Sequence, residues 1–293
     1  MGTPIRTVKW VEKNEELAEL LNRDDHLTLH PIDQGFEAEV VKLSSSDKSF
    51  VLKIWNKRSK PDVSFQYQLL HVLFERGLAV SKPLGWGINP NGEQVLLTTF
   101  DGLPIAEVDE KKMTEIANIL SSIHQLQESE LSNLQLPKYD FIDYFFPGVS
   151  EHADLNEALL SLVPTAKIEQ KQIIHGDFHL RNILAENDRY TVIDWTNGQL
   201  GDLRYDFAWS LLLLKLYVSD WHADLFQSAY LSDHPILPKE LAVFEALACL
   251  RWILLSRSGG VPRESNTLER VKGLISGNPF LSQFHFSKLN QEE

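Results

Sequence analysis

Three side chains with oxygen donors, Asp177, Asn182 and Asp194, lie near one another in the chain, each beside an apolar run. The stretch His175-Gly176-Asp177-Phe178-His179-Leu180-Arg181-Asn182 follows Ile173-Ile174 and leads into Ile183-Leu184; Tyr190-Thr191-Val192-Ile193 then delivers Asp194 and Trp195. Hard Mg2+ takes oxygen ligands, typically one or two carboxylates completed by phosphate oxygens and water, and Asn182 with Asp194 offers that set. Asp177 can accept or orient a hydroxyl proton as a weak base. Holding metal, orienting a hydroxyl and neutralising charge are what phosphoryl transfer from a nucleotide asks of a protein. A second chemistry competes for the same residues: His175 and His179 are four apart with Asp177 between them, as in a metal-dependent hydrolase. That arrangement needs a helix across both histidines, and Gly176 directly after a strand-like run speaks against one.

Elements on either side must position these groups. Residues 185–189 read as a turn joining strands 183–184 and 190–193, a hairpin that would return Asp194 to the side of Asn182. Upstream, segments 27–32, 39–43 and 49–55 alternate in the manner of strands, with Ser44-Ser45-Ser46-Asp47 as a turn, and 94–100 is another. Residues 10–22 read as a short amphipathic helix. Pro61 opens a helix through Phe74 that Gly77 stops. Asp101-Gly102-Leu103-Pro104 breaks the pattern, and beyond it Ile116, Ile119, Leu120, Ile123 and Leu126 fall on one helical face. Helical spacing recurs at 157–162, 206–218, 221–230, 239–256 and 268–275. His124, Trp209, Trp221 and Trp252 are expected in the core, and the aromatic stretch 127–150 as a packed loop. A sheet-rich first third followed by helices is an α+β chain in two lobes, 1–100 and 101–293.

Composition narrows the function. With 43% hydrophobic and 24% charged residues, the chain reads as an ordinary soluble globular protein. A net charge of −13 disfavours nucleic acid or an anionic membrane surface as partner and mildly favours a cationic small molecule. Residues 1–16 show no signal-peptide pattern, Leu211-Leu212-Leu213-Leu214 is far too short to span a bilayer, and the single Cys249 sits in an apolar stretch as a core residue. A cytoplasmic location is expected.

The segment 175–182, with Ile193-Asp194-Trp195 after it, resembles the catalytic and metal-binding segments of the aminoglycoside phosphotransferase and choline kinase-like family, and more distantly those of protein kinases. The resemblance implies a two-lobed protein-kinase-like fold, with an antiparallel N-lobe sheet plus helix and a larger helical C-lobe. It implies a kinase transferring the γ-phosphate of ATP or GTP to a hydroxyl of a small acceptor, with Asp177 as catalytic base and Asn182 and Asp194 on Mg2+. By the same resemblance Lys53, in Val51-Leu52-Lys53-Ile54, meets the nucleotide phosphates. Gly35 belongs to a phosphate-covering loop, and Thr98, Thr99 and Phe100 form the hinge against the nucleobase. His175 and Asp206 brace the catalytic loop, although Asp206 is also read as an N-cap for the helix after it. Two departures bear on activity: the loop has one glycine where protein kinases have several, and Gln66 stands where a glutamate would pair with Lys53. Both suit a weak or inactive nucleotide-binding pseudokinase; intact Lys53, Asp177, Asn182 and Asp194 oppose that reading.

Overall fold

The computed structural model describes residues 4–22, 27–31, 38–56, 62–131, 134–262, 264 and 266–287. The chain forms two compact units, one of residues 1–105 with 181–196, the other of residues 106–180 with 197–293. The stretch that carries Asn182 and Asp194 therefore packs with the sheet-rich part of the chain, not with the helical part that surrounds it in sequence.

In the first unit the described strands are β1 (Lys9–Lys13), β2 (Thr28–Pro31), β3 (Glu39–Ser44), β4 (Ser49–Trp55), β5 (Pro83–Ile88) and β6 (Gln94–Thr99), with helices α1 (Glu15–Asn22) and α2 (Val63–Glu75). They make one antiparallel sheet in the order β1-β5-β6-β4-β3-β2. Alternation divides its faces. Phe50, Leu52, Val95 and Leu97 join Leu17 and Leu20 of α1 in one core. The intervening Lys53 pairs with Leu96 and Val51 with Thr98, so these four share the opposite face. The helix expected over 10–22 is in fact a strand followed by a helix. Residues 9–13 alternate in exposure and add to the sheet edge, and Asn14 starts α1 by accepting the Leu17 amide at 2.9 Å. Asp62 caps α2 in the same way, and Gly77, at φ +75°, ends it with its amide on the Phe74 carbonyl.

A second sheet in this unit has the order β10-β9-β7, from β7 (Leu103–Pro104), β9 (Ile183–Glu186) and β10 (Arg189–Val192). Asn187 and Asp188 both have positive φ, 48° and 62°, the backbone a two-residue hairpin turn needs. The Val192 amide bonds to the Ala79 carbonyl, which ties the hairpin to the segment after α2.

The second unit is mainly helical: α3 (Glu110–Gln125), α4 (Phe141–Phe145), α5 (Ala153–Ala166), α6 (Leu203–Tyr217), α7 (Asp220–Asp233), α8 (Pro238–Arg257) and α9 (Thr267–Gly277). A two-stranded sheet of β8 (Gln172–Ile174) and β11 (Gln199–Gly201) carries the chain into and out of the stretch 175–198. α6 and α8 are apolar almost all round, burying Phe207, Leu211, Leu247, Leu250 and Trp252, each side chain contributing about 1.5–3 kcal/mol. Residues 141–146 pack Phe141 and Phe145 against the Tyr205 ring at 4.8 and 4.7 Å. Cys249 is buried, and burial pushes its thiol up to about 12, so it is an inert core group. Two expectations are corrected here. Trp221 is 51% exposed, because the face of α7 that packs is the one with Ala223, Phe226 and Tyr230. The N-cap of α6 is Asp202, which accepts the Arg204 amide at 3.0 Å; Asp206 lies one turn inside the helix. No described helix is long and apolar enough to cross a membrane.

Candidate active site

Asp177 follows β8 directly, and the loop that carries it is pinned from several sides. Asp206, fully buried, accepts the His175 amide at 2.8 Å on Oδ2 and the Gly176 amide at 2.9 Å on Oδ1. His124 Nε2 donates to the same Oδ2 at 3.1 Å, and Tyr230 hydroxyl stands 2.6 Å from His124 Nδ1. Burial alone would push the Asp206 carboxyl up; the contacts with His124 and His175 outweigh it and hold the group below the ordinary carboxylate range. Gly176 has φ +78°, and a Cβ there would meet Asn197 Cβ at 2.7 Å, so only glycine fits.

His175 is fully buried, and its Nδ1 accepts the Asp177 amide at 3.2 Å. One ring nitrogen is thus committed to its own loop. Among the described residues no group of three His, Cys, Asp or Glu side chains converges to hold a metal ion. His179 lies elsewhere on the loop, its Nε2 3.5 Å from Asp177 Oδ2.

The Asp177 carboxylate also accepts Trp209 Nε1 at 2.8 Å. Burial would raise its pKa, but the His179 hydrogen bond and charge, the Arg251 charge and the Trp209 N–H together hold it well below the usual range. The side chain keeps 32% of its surface exposed, so the carboxylate is fixed, ionised and reachable. Trp209 and Arg251 were missed as site residues. Trp209 reads as core from its helical spacing and is indeed 2% exposed, with only its indole N–H turned to the carboxylate. No pattern around Arg251 marks it.

In the first unit, Asn182 ends a 3-10 turn just before β9 and is buried. The Ile193 amide donates to its backbone carbonyl at 2.9 Å, which sets Asp194 beside it across the hairpin. Asp194 has φ +66°, a left-handed backbone that non-glycine residues adopt at a cost of about 1–2 kcal/mol; the Thr196 hydroxyl donates to its Oδ1 at 3.3 Å. Lys53 is half-buried on the sheet face it shares with Thr98, and its ammonium makes no hydrogen bond or ion pair among the described residues. Gln66 is buried in α2, its Nε2 without an acceptor among the described residues. In the stretch expected to form the hinge, the Thr99 and Phe100 amides are already used within the sheet, donating to the Lys82 and Ser49 carbonyls at 3.0 and 3.1 Å. The Thr99 hydroxyl donates to Asp101, whose carboxyl is pushed up by burial despite that bond and one from Ser81. Gly35 and its loop lie outside the described residues.

Comparison with known proteins comes to one family. Residues 28–239 match the model of the phosphotransferase enzyme family. No curated protein sequence matches the chain. Among solved structures, an amicoumacin kinase in complex with AMP-PNP, Ca2+ and Ami superposes with a TM-score of 0.67 at 13% identity, covering 91% of this chain and 95% of its own. A thermostable aminoglycoside phosphotransferase mutant, in ternary complex with AMP-PNP and hygromycin B, gives 0.62 at 15%, covering 88% and 96%. The choline kinase LicA from Streptococcus pneumoniae gives 0.58 at 17%, covering 90% and 96%. At these identities the likeness is one of fold.

Proposed function

The chain belongs to the phosphotransferase enzyme family, a group of enzymes that phosphorylate hydroxyl acceptors, and from that premise we propose that it moves the γ-phosphate of ATP or GTP onto a hydroxyl of a small molecule. The observation that carries this reading is the state of Asp177, which is ionised, partly exposed and held in place by Trp209 before any substrate arrives. In a loose phosphoryl-transfer transition state the acceptor proton leaves late, so a carboxylate of low basicity serves to orient the hydroxyl and take its proton.

The other roles follow the sequence reading. Asn182 and Asp194, an amide oxygen and a carboxylate at adjoining strand ends, are a hard-oxygen set that fits Mg2+. When bound, the ion neutralises charge on the phosphates. Lys53 is assigned to the nucleotide phosphates, with Gly35 in the loop over them and Thr98, Thr99 and Phe100 at the nucleobase. Gln66 neighbours Lys53 in this assignment and adds no charge. Asp206 and His175 brace the loop. The sheet-rich lobe, 1–100, is assigned to the nucleotide and 101–293 to catalysis and the acceptor. The net charge of −13 favours a cationic acceptor.

The test is nucleotide turnover with Mg2+ across a panel of hydroxyl compounds. Asp177→Ala is expected to lower turnover by about 10²–10⁴-fold while keeping nucleotide binding. Asp194→Ala should abolish the Mg2+-dependent thermal shift with nucleotide. Full activity in both variants would overturn the assignment. A thermal shift in the wild type without transfer to any acceptor would instead mark a pseudokinase.

A further inference from the structure

Arg251, on α8, is buried at 8% exposure and forms no salt bridge among the described residues. A guanidinium taken out of water without a carboxylate beside it is costly, so its contacts are informative. Its Nη1 donates to the Gly176 carbonyl at 2.9 Å. Its Cζ lies over the Trp209 ring, 4.1 Å from the centroid, and over the Phe145 ring at 4.8 Å. Two of these three groups, the Gly176 carbonyl and the Trp209 ring, bear directly on Asp177. The Gly176 carbonyl belongs to the peptide that precedes Asp177, and the N–H of that same peptide is held by His175 Nδ1 at 3.2 Å. With both ends taken, the peptide plane that leads into Asp177 is restrained. The Trp209 indole then holds the carboxylate itself at 2.8 Å.

We propose that Arg251 is a positioning residue for phosphoryl transfer, fixing the backbone of Asp177 through the Gly176 carbonyl and its carboxylate through the Trp209 indole. The planar guanidinium is what allows both, since it stacks on an aromatic face while donating in its own plane; a lysine does one or the other. The charge has a further effect, because it adds to the field that keeps Asp177 ionised. The proposal rests on the assignment of Asp177 as proton acceptor, and its experiment has one arm that does not.

That arm reads the Trp209 indole N–H by 1H–15N NMR in the full chain, identified by its loss in Trp209→Phe. In the wild type it is expected downfield and protected from exchange, as a donor to a carboxylate is. In Arg251→Met it should move toward the position of a free indole and lose protection. The kinetic arm expects kcat in Arg251→Met to fall about 10- to 100-fold, the penalty of a misplaced catalytic group, with nucleotide KM unchanged and Arg251→Lys recovering only part. The double variant Arg251→Met/Trp209→Phe should be little worse than the poorer single one, because both act on one carboxylate. Should Arg251→Met unfold, Arg251→Lys carries the same readouts. An unmoved indole resonance, an unchanged kcat or fully additive losses would each overturn the proposal. A wild type that phosphorylates nothing on the panel would count against the phosphotransfer reading, and the NMR arm would still decide whether Arg251 sets the Asp177 contact.

Discussion

Around Asp177 the loop's polar groups are claimed before any ligand arrives, whereas around Lys53 donors are left over. Asp206 takes two loop amides, Arg251 a loop carbonyl, His175 the Asp177 amide and Trp209 the carboxylate. In the other unit Lys53 has no partner among the described residues, and the Gln66 Nε2 is buried without one. The difference is the one expected from the role proposed for each region. A proton acceptor contributes only if aligned in advance, since reorganisation at the moment of reaction adds to the barrier. Groups proposed for phosphate oxygens would keep their donors for the ligand.

That contrast can be broken from either side. The largest effect is expected at Asp206→Ala, which strands two buried amides and a histidine and should cost about 3–5 kcal/mol in urea unfolding. A loss under about 1 kcal/mol would show that the loop is not held from α6. The same carboxyl sets a pH dependence. Its folded-state pKa lies below the unfolded value, so the unfolded chain binds the proton first. The contribution is full above about pH 4 and drains away as pH falls further, which acid unfolding of the wild type against Asp206→Asn would measure.

Gly176→Ala comes next, at about 1–3 kcal/mol, from the left-handed backbone and the approach of Asn197. Calorimetry reads the loss, and turnover should drop with it because the strain sits next to Asp177. Smallest is Gln66→Met, which removes a buried amide N–H with no acceptor among the described residues and keeps much of its shape. Stability should stay level or rise by up to about 1 kcal/mol; a loss above 2 kcal/mol by the same measure would mean that this amide is in use and that the two regions are less different than they look.

The sheet, the hairpin and the helical remainder were legible in the sequence because each rests on local pattern. Alternation marks β4 and β6, the Asn187-Asp188 pair marks a tight hairpin, and steps of three and four mark α3. Local pattern misled where it was mixed. Trp10 and Val11 fit a helical stripe with Leu17, yet β-forming side chains beside an open sheet edge paired with β5 before Asn14 started the helix. Asp206 looked able to cap α6, and only the position of Asp202 showed that the cap was taken.

By itself the sequence picked out the candidate reacting groups. Asp177, Asn182 and Asp194 are separated by one loop and one hairpin, and the roles proposed for them rest on residue type, short-range spacing and family resemblance. The tertiary structure alone decided how Asp177 is held. The Trp209 contact spans 32 residues of chain and the Arg251 contact 75. At such separations neither propensity nor periodicity couples two residues; only the packing of α6 and α8 brings a tryptophan to the Asp177 carboxylate and an arginine to the carbonyl just before it, each unremarkable in its own helix.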